Sequence, residues 1–286
     1  MDQPASSIPI IDSIADFARE SDVWLTDIWG VIHNGVTPFE DACEATARFR
    51  QSGGTVLLLS NAPRPRDAVV AQLDRLGVPR EAWDAVLTSG DAARALVGAY
   101  AGKRVYHLGP ERDLPLYDGL GVTLSEPADA DAVACTGLFQ DEVETPDDYT
   151  GLLTDLAARN VPMICANPDL TVERGSQIVY CAGALAVEYI AKGGSVAYAG
   201  KPYLPIYDMA LQMVEGIRGR AVEKTRVLCI GDGVRTDIKG AAAAGLDSVF
   251  IASGVHVQGG LSGEALAHLF PTADMRPIAA MSTLKW

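Results

Sequence analysis

Short apolar runs alternate with longer amphipathic stretches along the chain, the pattern of strands feeding helices in a parallel sheet. Val23-Trp24-Leu25 leads into Thr26-Asp27, and Thr55 to Leu59 leads into Ser60-Asn61. Ligands of an open α/β sheet bind beyond the carboxyl ends of its strands, so polar residues at these ends are placed to do chemistry. Between the runs, Pro38 to Gln51 predicts a helix, with Pro38 at its start, Phe39, Cys43, Ala47 and Phe49 as apolar positions and Gly53-Gly54 as its stop. Pro65 to Leu76 predicts a second helix, and Asp84 to Thr88 followed by Gly90 to Tyr100 repeats the strand-helix unit.

After Ala101-Gly102 the character changes. Arg104 to Leu108, Ala132 to Cys135 and Val161 to Ala166 predict strands of a separate sheet, with an acidic loop from Gln140 to Asp148 and a helix from Pro146 to Arg159 between the last two. Near Ser195 to Gly200 the chain is expected to return to the first sheet. A helix from Leu204 to Ile217, a strand from Arg226 to Ile230 ending in Gly231-Asp232, a helix from Val234 to Ala244 and a last strand from Ser248 to Ile251 follow, and the tail from Thr272 is weakly patterned. The expected fold is a doubly wound parallel α/β core made of residues 1–99 and 197–286, with an inserted α/β domain of residues 100–196.

Composition narrows the function classes. The chain of 286 residues is 48% hydrophobic and 21% charged, the balance of a folded globule. Its 37 Asp+Glu against 23 Lys+Arg give a net charge of -14, which argues against nucleic acid or an anionic membrane as partner. The N-terminus carries Asp2 where a secretory signal has a basic region, so a cytoplasmic protein is expected. Five scattered cysteines without a Cys-x-x-Cys pair predict buried reduced thiols, not a disulfide framework or thiolate zinc site. Neither a phosphate-binding Gly-x-x-x-x-Gly-Lys-Ser/Thr loop nor a Gly-x-Gly-x-x-Gly fingerprint is present.

The strand ends carry the candidate chemistry. Asp27 and Asp232, on different strands, offer the hard oxygen ligands that Mg²⁺ requires. The Ser60 hydroxyl and Lys201 suit a phosphate, supplying a donor and a balancing cation, and an Asp carboxylate can attack phosphorus. Taken singly, each has a simpler reading: Asp27 as a turn former, Ser60-Asn61 as a turn, Lys201 as solvated surface, Asp237 as a first-turn helix residue. Their combination points to a metal-dependent phosphoryl site.

Thr26-Asp27-Ile28-Trp29-Gly30-Val31, Leu59-Ser60-Asn61, Gly200-Lys201-Pro202 and Gly231-Asp232-Gly233-Val234-Arg235-Thr236-Asp237 resemble, in order and spacing, the four motifs of the haloacid dehalogenase superfamily. The insertion between the second and third motifs and the Gly-Lys-Pro form are similar to the class IIA branch of NagD-like and nitrophenyl-phosphatase-like enzymes. The resemblance implies a phosphatase of a small phosphorylated metabolite with Asp27 as nucleophile, Ser60 binding the phosphoryl group and Lys201 neutralising it. It implies a Mg²⁺ site made by Asp27, the Trp29 backbone carbonyl, Asp232 and Asp237, and it makes residues 100–196 a cap. Asn61 and the cap loop Asn167-Pro168-Asp169 fall on the substrate side, with Asn167 and Asp169 as contacts. A homodimer is left open.

One position departs from the family's Asp-x-Asp-Gly. The second Asp, which protonates the leaving group and activates water, is Trp29 here. General acid-base catalysis is worth about 10²–10⁴ in rate, so a weak or narrow phosphatase favouring aryl or acyl phosphates is expected. His33 is a candidate replacement acid. The alternatives are a pseudoenzyme that binds a phosphorylated metabolite without turnover, and a phosphotransferase.

Overall fold

The computed structural model describes residues 7–174, 177–252 and 260–286. In chain order the first part runs α1 (Ala15–Glu20), β1 (Val23–Thr26), α2 (Glu40–Gln51), β2 (Thr55–Ser60), α3 (Arg66–Leu76), β3 (Ala85–Thr88) and α4 (Ser89–Gly98). There follow β4 (Arg104–Leu108), β5 (Thr123–Leu124), β6 (Ala132–Cys135), α5 (Thr150–Ala158), β7 (Met163–Cys165), β8 (Thr171–Arg174), β9 (Gln177–Tyr180), α6 (Ala182–Ala191) and β10 (Val196–Tyr198). The chain closes with α7 (Leu204–Arg218), β11 (Val227–Gly231), α8 (Lys239–Ala244), β12 (Asp247–Ile251), α9 (Gly263–Leu269) and β13 (Ala279–Met281).

These elements form two compact units, Met1–Leu59, Gln72–Leu87 and Tyr207–Trp286 in the first, Ser60–Ala71 and Thr88–Ile206 in the second. The first is built on a six-stranded sheet of order β13-β12-β11-β1-β2-β3. β1 pairs in parallel with both β11 and β2. Every residue of β1, β2 and β11 is buried, which is why these strands read as unbroken apolar runs instead of alternating ones. Trp24 on β1 stacks on Phe49 of α2, ring centroids 4.0 Å apart, and its indole N–H donates to Ser21 Oγ at 3.0 Å.

The second unit has its own five-stranded parallel sheet, of order β10-β7-β6-β4-β5. Leu108, Val133 and Met163 from its strands pack with Leu153, Leu185 and Tyr189 from α5 and α6. β5 lies on one side of β4 and β6 on the other, so the order of winding reverses at β4. β8 and β9 form a separate antiparallel hairpin.

Three sequence expectations change. The strand within Ser195 to Gly200 pairs with β7 and completes the second sheet instead of returning to the first; three short residues of β propensity cannot announce which sheet they join. The helix expected from Val234 to Ala244 begins as a π-helical turn over Val234–Ile238 before α8. The weakly patterned tail supplies an edge strand, β13, whose three residues are buried beside β12. All five cysteines are buried and free, and among the described residues no helix is long and apolar enough to cross a membrane.

Candidate active site

In the first unit, three carboxylates gather where β1 and β11 end. The Asp27 N–H donates to Ile230 O at 2.8 Å, continuing the β1–β11 ladder one residue past β1. Asp232 follows the last residue of β11, and Asp237 lies in the π-helical turn. All three are buried, and one oxygen from each lies within 4.8 Å of the others. Three carboxylates this close repel one another in a low-dielectric setting, and a divalent cation with oxygen preference is the natural counter-charge. The donor set therefore fits Mg²⁺.

The glycines of the motifs make this convergence sterically feasible. Gly30 has φ +88°, and a Cβ there would lie 2.1 Å from Asp232 Oδ2. A Cβ at Gly231 would lie 2.3 Å from Asp237 Cγ. Asp237 Oδ2 accepts the Gly233 N–H at 3.0 Å, and the buried Tyr207 hydroxyl donates to Asp237 O at 3.3 Å. Tyr207 is a supporting residue that sequence reasoning missed; it sits in α7, whose pattern shows an apolar face and gives no sign of this bond.

Trp29 is held in a tight loop. The Gly30 N–H donates to His33 O at 2.8 Å, and Ile32 N–H to Ile28 O at 2.9 Å. The Trp29 ring meets His33 edge-on at 5.3 Å, and a Cβ at Gly35, φ +87°, would lie 2.4 Å from the indole. His33 is buried, its Nδ1 accepts the Gly35 N–H at 2.9 Å, and burial pushes its pKa down to about 4. Desolvation and an accepting Nδ1 together favour the neutral imidazole with its proton on Nε2, which weighs against the expectation that His33 replaces the missing acid.

In the second unit, Asn61 is the centre of a knot. Its Nδ2 donates to Asp169 Oδ1 at 2.9 Å and to Lys201 O at 3.1 Å, and its Oδ1 accepts the Lys201 N–H at 2.8 Å. Asn167 Oδ1 accepts the Asp169 N–H at 3.0 Å, fixing the turn that presents Asp169. Gly200 fits because a Cβ there would lie 2.4 Å from Asn61 Oδ1. Lys201 is buried. Ser60 Oγ accepts the Ala62 N–H at 3.1 Å, which leaves its own proton to donate. Arg66 is paired with Asp91 through Nε at 3.1 Å, and its N–H donates to the same carboxylate at 3.2 Å, so Asp91 ties the start of α3 to that of α4.

The structure therefore brings Asp27, Asp232 and Asp237 together in one unit and Asn61, Asn167, Asp169 and Lys201 in the other. Ser60 ends β2, the neighbour of β1 in the first sheet.

Two family models match parts of the chain, a haloacid dehalogenase-like hydrolase over residues 24–123 and a HAD-hydrolase-like family over 198–273. A haloacid dehalogenase-like hydrolase of Brucella suis is 49% identical, with a TM-score of 0.87 over 96% of this chain and 99% of that one. The chain belongs to the haloacid dehalogenase-like hydrolases. The D-glycerol 3-phosphate phosphatase of Mycobacterium tuberculosis is 29% identical over 84% of this chain, and the match spans 65% of that protein. A glycerol phosphate phosphatase of the same organism, in complex with magnesium, is 27% identical with a TM-score of 0.68, over 94% of this chain and 77% of that one.

Proposed function

We propose that the protein is a Mg²⁺-dependent phosphatase of a small phosphorylated metabolite, acting through an aspartyl-phosphate on Asp27, with residues 100–196 as the cap. The observation that carries this reading is the trio of buried carboxylates within 4.8 Å at the ends of β1 and β11. The phosphatases among its relatives, one of them in complex with magnesium, support it.

Asp27, Asp232 and the Trp29 carbonyl would hold the ion, with Asp237 orienting its shell. When bound, Mg²⁺ supplies positive charge against the phosphoryl oxygens. An Asp27 carboxylate oxygen attacks phosphorus while the ester P–O bond breaks and the leaving oxygen departs. Water then attacks the same phosphorus, releasing inorganic phosphate and restoring the carboxylate. Ser60 donates its free proton to a phosphoryl oxygen, and Lys201 neutralises it from a position fixed by Asn61. Phosphoryl transfer through a loose transition state relies mainly on such positioning and charge.

Trp29 bears no acid proton, so departure is fastest for leaving groups stable as anions, aryl and acyl phosphates among them. That same residue favours the second reading, a protein that binds a phosphate ester without turnover. Release of inorganic phosphate from nitrophenyl phosphate, with Mg²⁺ and with EDTA, separates the two. Metal-dependent release is expected, and binding without release would select the second.

A further inference from the structure

Regular helix geometry breaks in the first unit just where the carboxylates gather. Between β11 and α8 the chain winds as a π-helical turn over Val234–Ile238. The Ile238 N–H donates to Gly233 O at 3.1 Å and the Lys239 N–H to Val234 O, each reaching five residues back. Such turns are rare, and inside helices they frequently fall at functional sites. A wider winding changes the direction in which a side chain leaves the turn, and the side chain concerned here is Asp237, one of the buried trio. Its Oδ2 accepts the Gly233 N–H at 3.0 Å, and a Cβ at Gly233 would lie 2.9 Å from that oxygen and 2.0 Å from Thr236 Oγ1. The turn is therefore wound tightly around the carboxylate.

A regular α-turn would pair the same backbone groups, so the wider one needs an anchor outside itself. Tyr207 supplies it. The residue shares the buried stripe of α7 with Ala210 and Val214, is 1% exposed, and its hydroxyl donates to Asp237 O at 3.3 Å. A carbonyl oxygen has two lone pairs, so this bond adds to whatever the helix itself makes there. Burial first, then the nearness of Cys229, Asp237 and Asp27, pushes the phenol well above its ordinary range, so the hydroxyl stays a donor. Gly240 in α8 makes the approach possible, because a Cβ there would lie 2.3 Å from Tyr207 Oη and 2.7 Å from Cζ. One phenol thus touches the π-helical turn at Asp237 and α8 at Gly240, on the two sides of their junction.

We infer that Tyr207 is a positioning residue for the metal: its hydroxyl pins the π-helical turn by the Asp237 carbonyl, and the pinned turn holds the Asp237 carboxylate toward the cation. That a cation sits among the three carboxylates rests on the Mg²⁺-dependent reading above. Tyr207 acts only through Asp237. Without its hydroxyl the turn is free to relax toward regular winding, and the carboxylate loses the bearing that the ion requires.

The test is calorimetric titration of Mg²⁺ into the EDTA-stripped full chain. Tyr207→Phe removes the hydroxyl alone and is expected to raise the Kd for Mg²⁺ about threefold to tenfold, the range one hydrogen bond supplies. Tyr189→Phe is the matched control: this equally buried tyrosine of the second unit donates to Val161 O, so its variant should lose melting temperature in the same way and leave the Kd unchanged. Gly240→Ala displaces the phenol with its hydroxyl intact and should weaken Mg²⁺ as well. In the double variant Tyr207→Phe/Gly240→Ala the loss should fall short of the product of the two, since both act through one bond. Equal Mg²⁺ affinity in wild type and Tyr207→Phe, or the same loss in Tyr189→Phe, would overturn the positioning role and leave the metal site standing. No Mg²⁺ binding by the wild type would overturn the metal reading itself, and the inference with it.

Discussion

Gly30 and Asp232 are in such close register that a single added methyl group would lie 2.1 Å from the Asp232 carboxylate. Gly30 also has φ +88°, a conformation costly for any residue with a Cβ. Gly30→Ala should therefore lose about 1–3 kcal/mol of stability and weaken metal binding, because either the loop or the carboxylate must move. Urea unfolding and Mg²⁺ titration by calorimetry check the two halves separately. Unchanged Mg²⁺ affinity would contradict the coupling of this loop to the metal site.

Asn61 joins three chain segments through one amide. Asn61→Ala removes bonds to Asp169 and to both backbone atoms of Lys201, leaving buried groups unsatisfied at a cost of about 1–3 kcal/mol. If Lys201 is positioned this way, KM for a phosphate ester should rise more than kcat falls. Steady-state kinetics on nitrophenyl phosphate checks the split.

Asp22, where β1 begins, is encircled by arginines: Arg226 at 2.9 Å, Arg220 at 3.6 Å and Arg218 at 3.8 Å. The hydrogen bond from Arg226, aided by the charge of all three, holds its pKa below the ordinary 3.8. A carboxyl whose folded pKa is depressed adds stability above its unfolded pKa, and that stability drains away as pH falls from there through the folded pKa. Asp22→Asn should thus cost about 1 kcal/mol at pH 7, an amount limited by solvent screening of a partly exposed group. The gap from wild type should close below pH 4 in urea unfolding. A constant gap would show that packing, not charge, is responsible.

Trp29→Asp restores a proton carrier. Turnover of alkyl phosphates should rise relative to nitrophenyl phosphate by about 10²-fold, the lower end of what general acid catalysis supplies. Loss of the indole against Gly35 should lower the melting temperature. An unchanged ratio of alkyl to aryl rates would contradict the role assigned to the missing acid.

Much of this was legible in the sequence. β1, β2 and β11 are buried on both faces, so they appear as unbroken apolar runs, and their polar ends marked Asp27, Ser60 and Asp232 directly. Features made by meetings of distant residues were not legible. Val196–Tyr198 is too short to announce which sheet it joins, and the environment that neutralises His33 comes from burial and a Gly35 amide that no spacing encodes. The Asn61 knot links residues 140 positions apart. The motif marked both partners but not the bonds between them.

The most direct test of the proposed catalysis is phosphate release under Mg²⁺ by the wild type and by Asp27→Asn, with acid-quenched protein examined by peptide mass spectrometry. The account predicts metal-dependent release by the wild type, a phosphoryl adduct on the peptide containing Asp27, and loss of both in the variant. Full turnover by Asp27→Asn, or an adduct on any other residue, would contradict it.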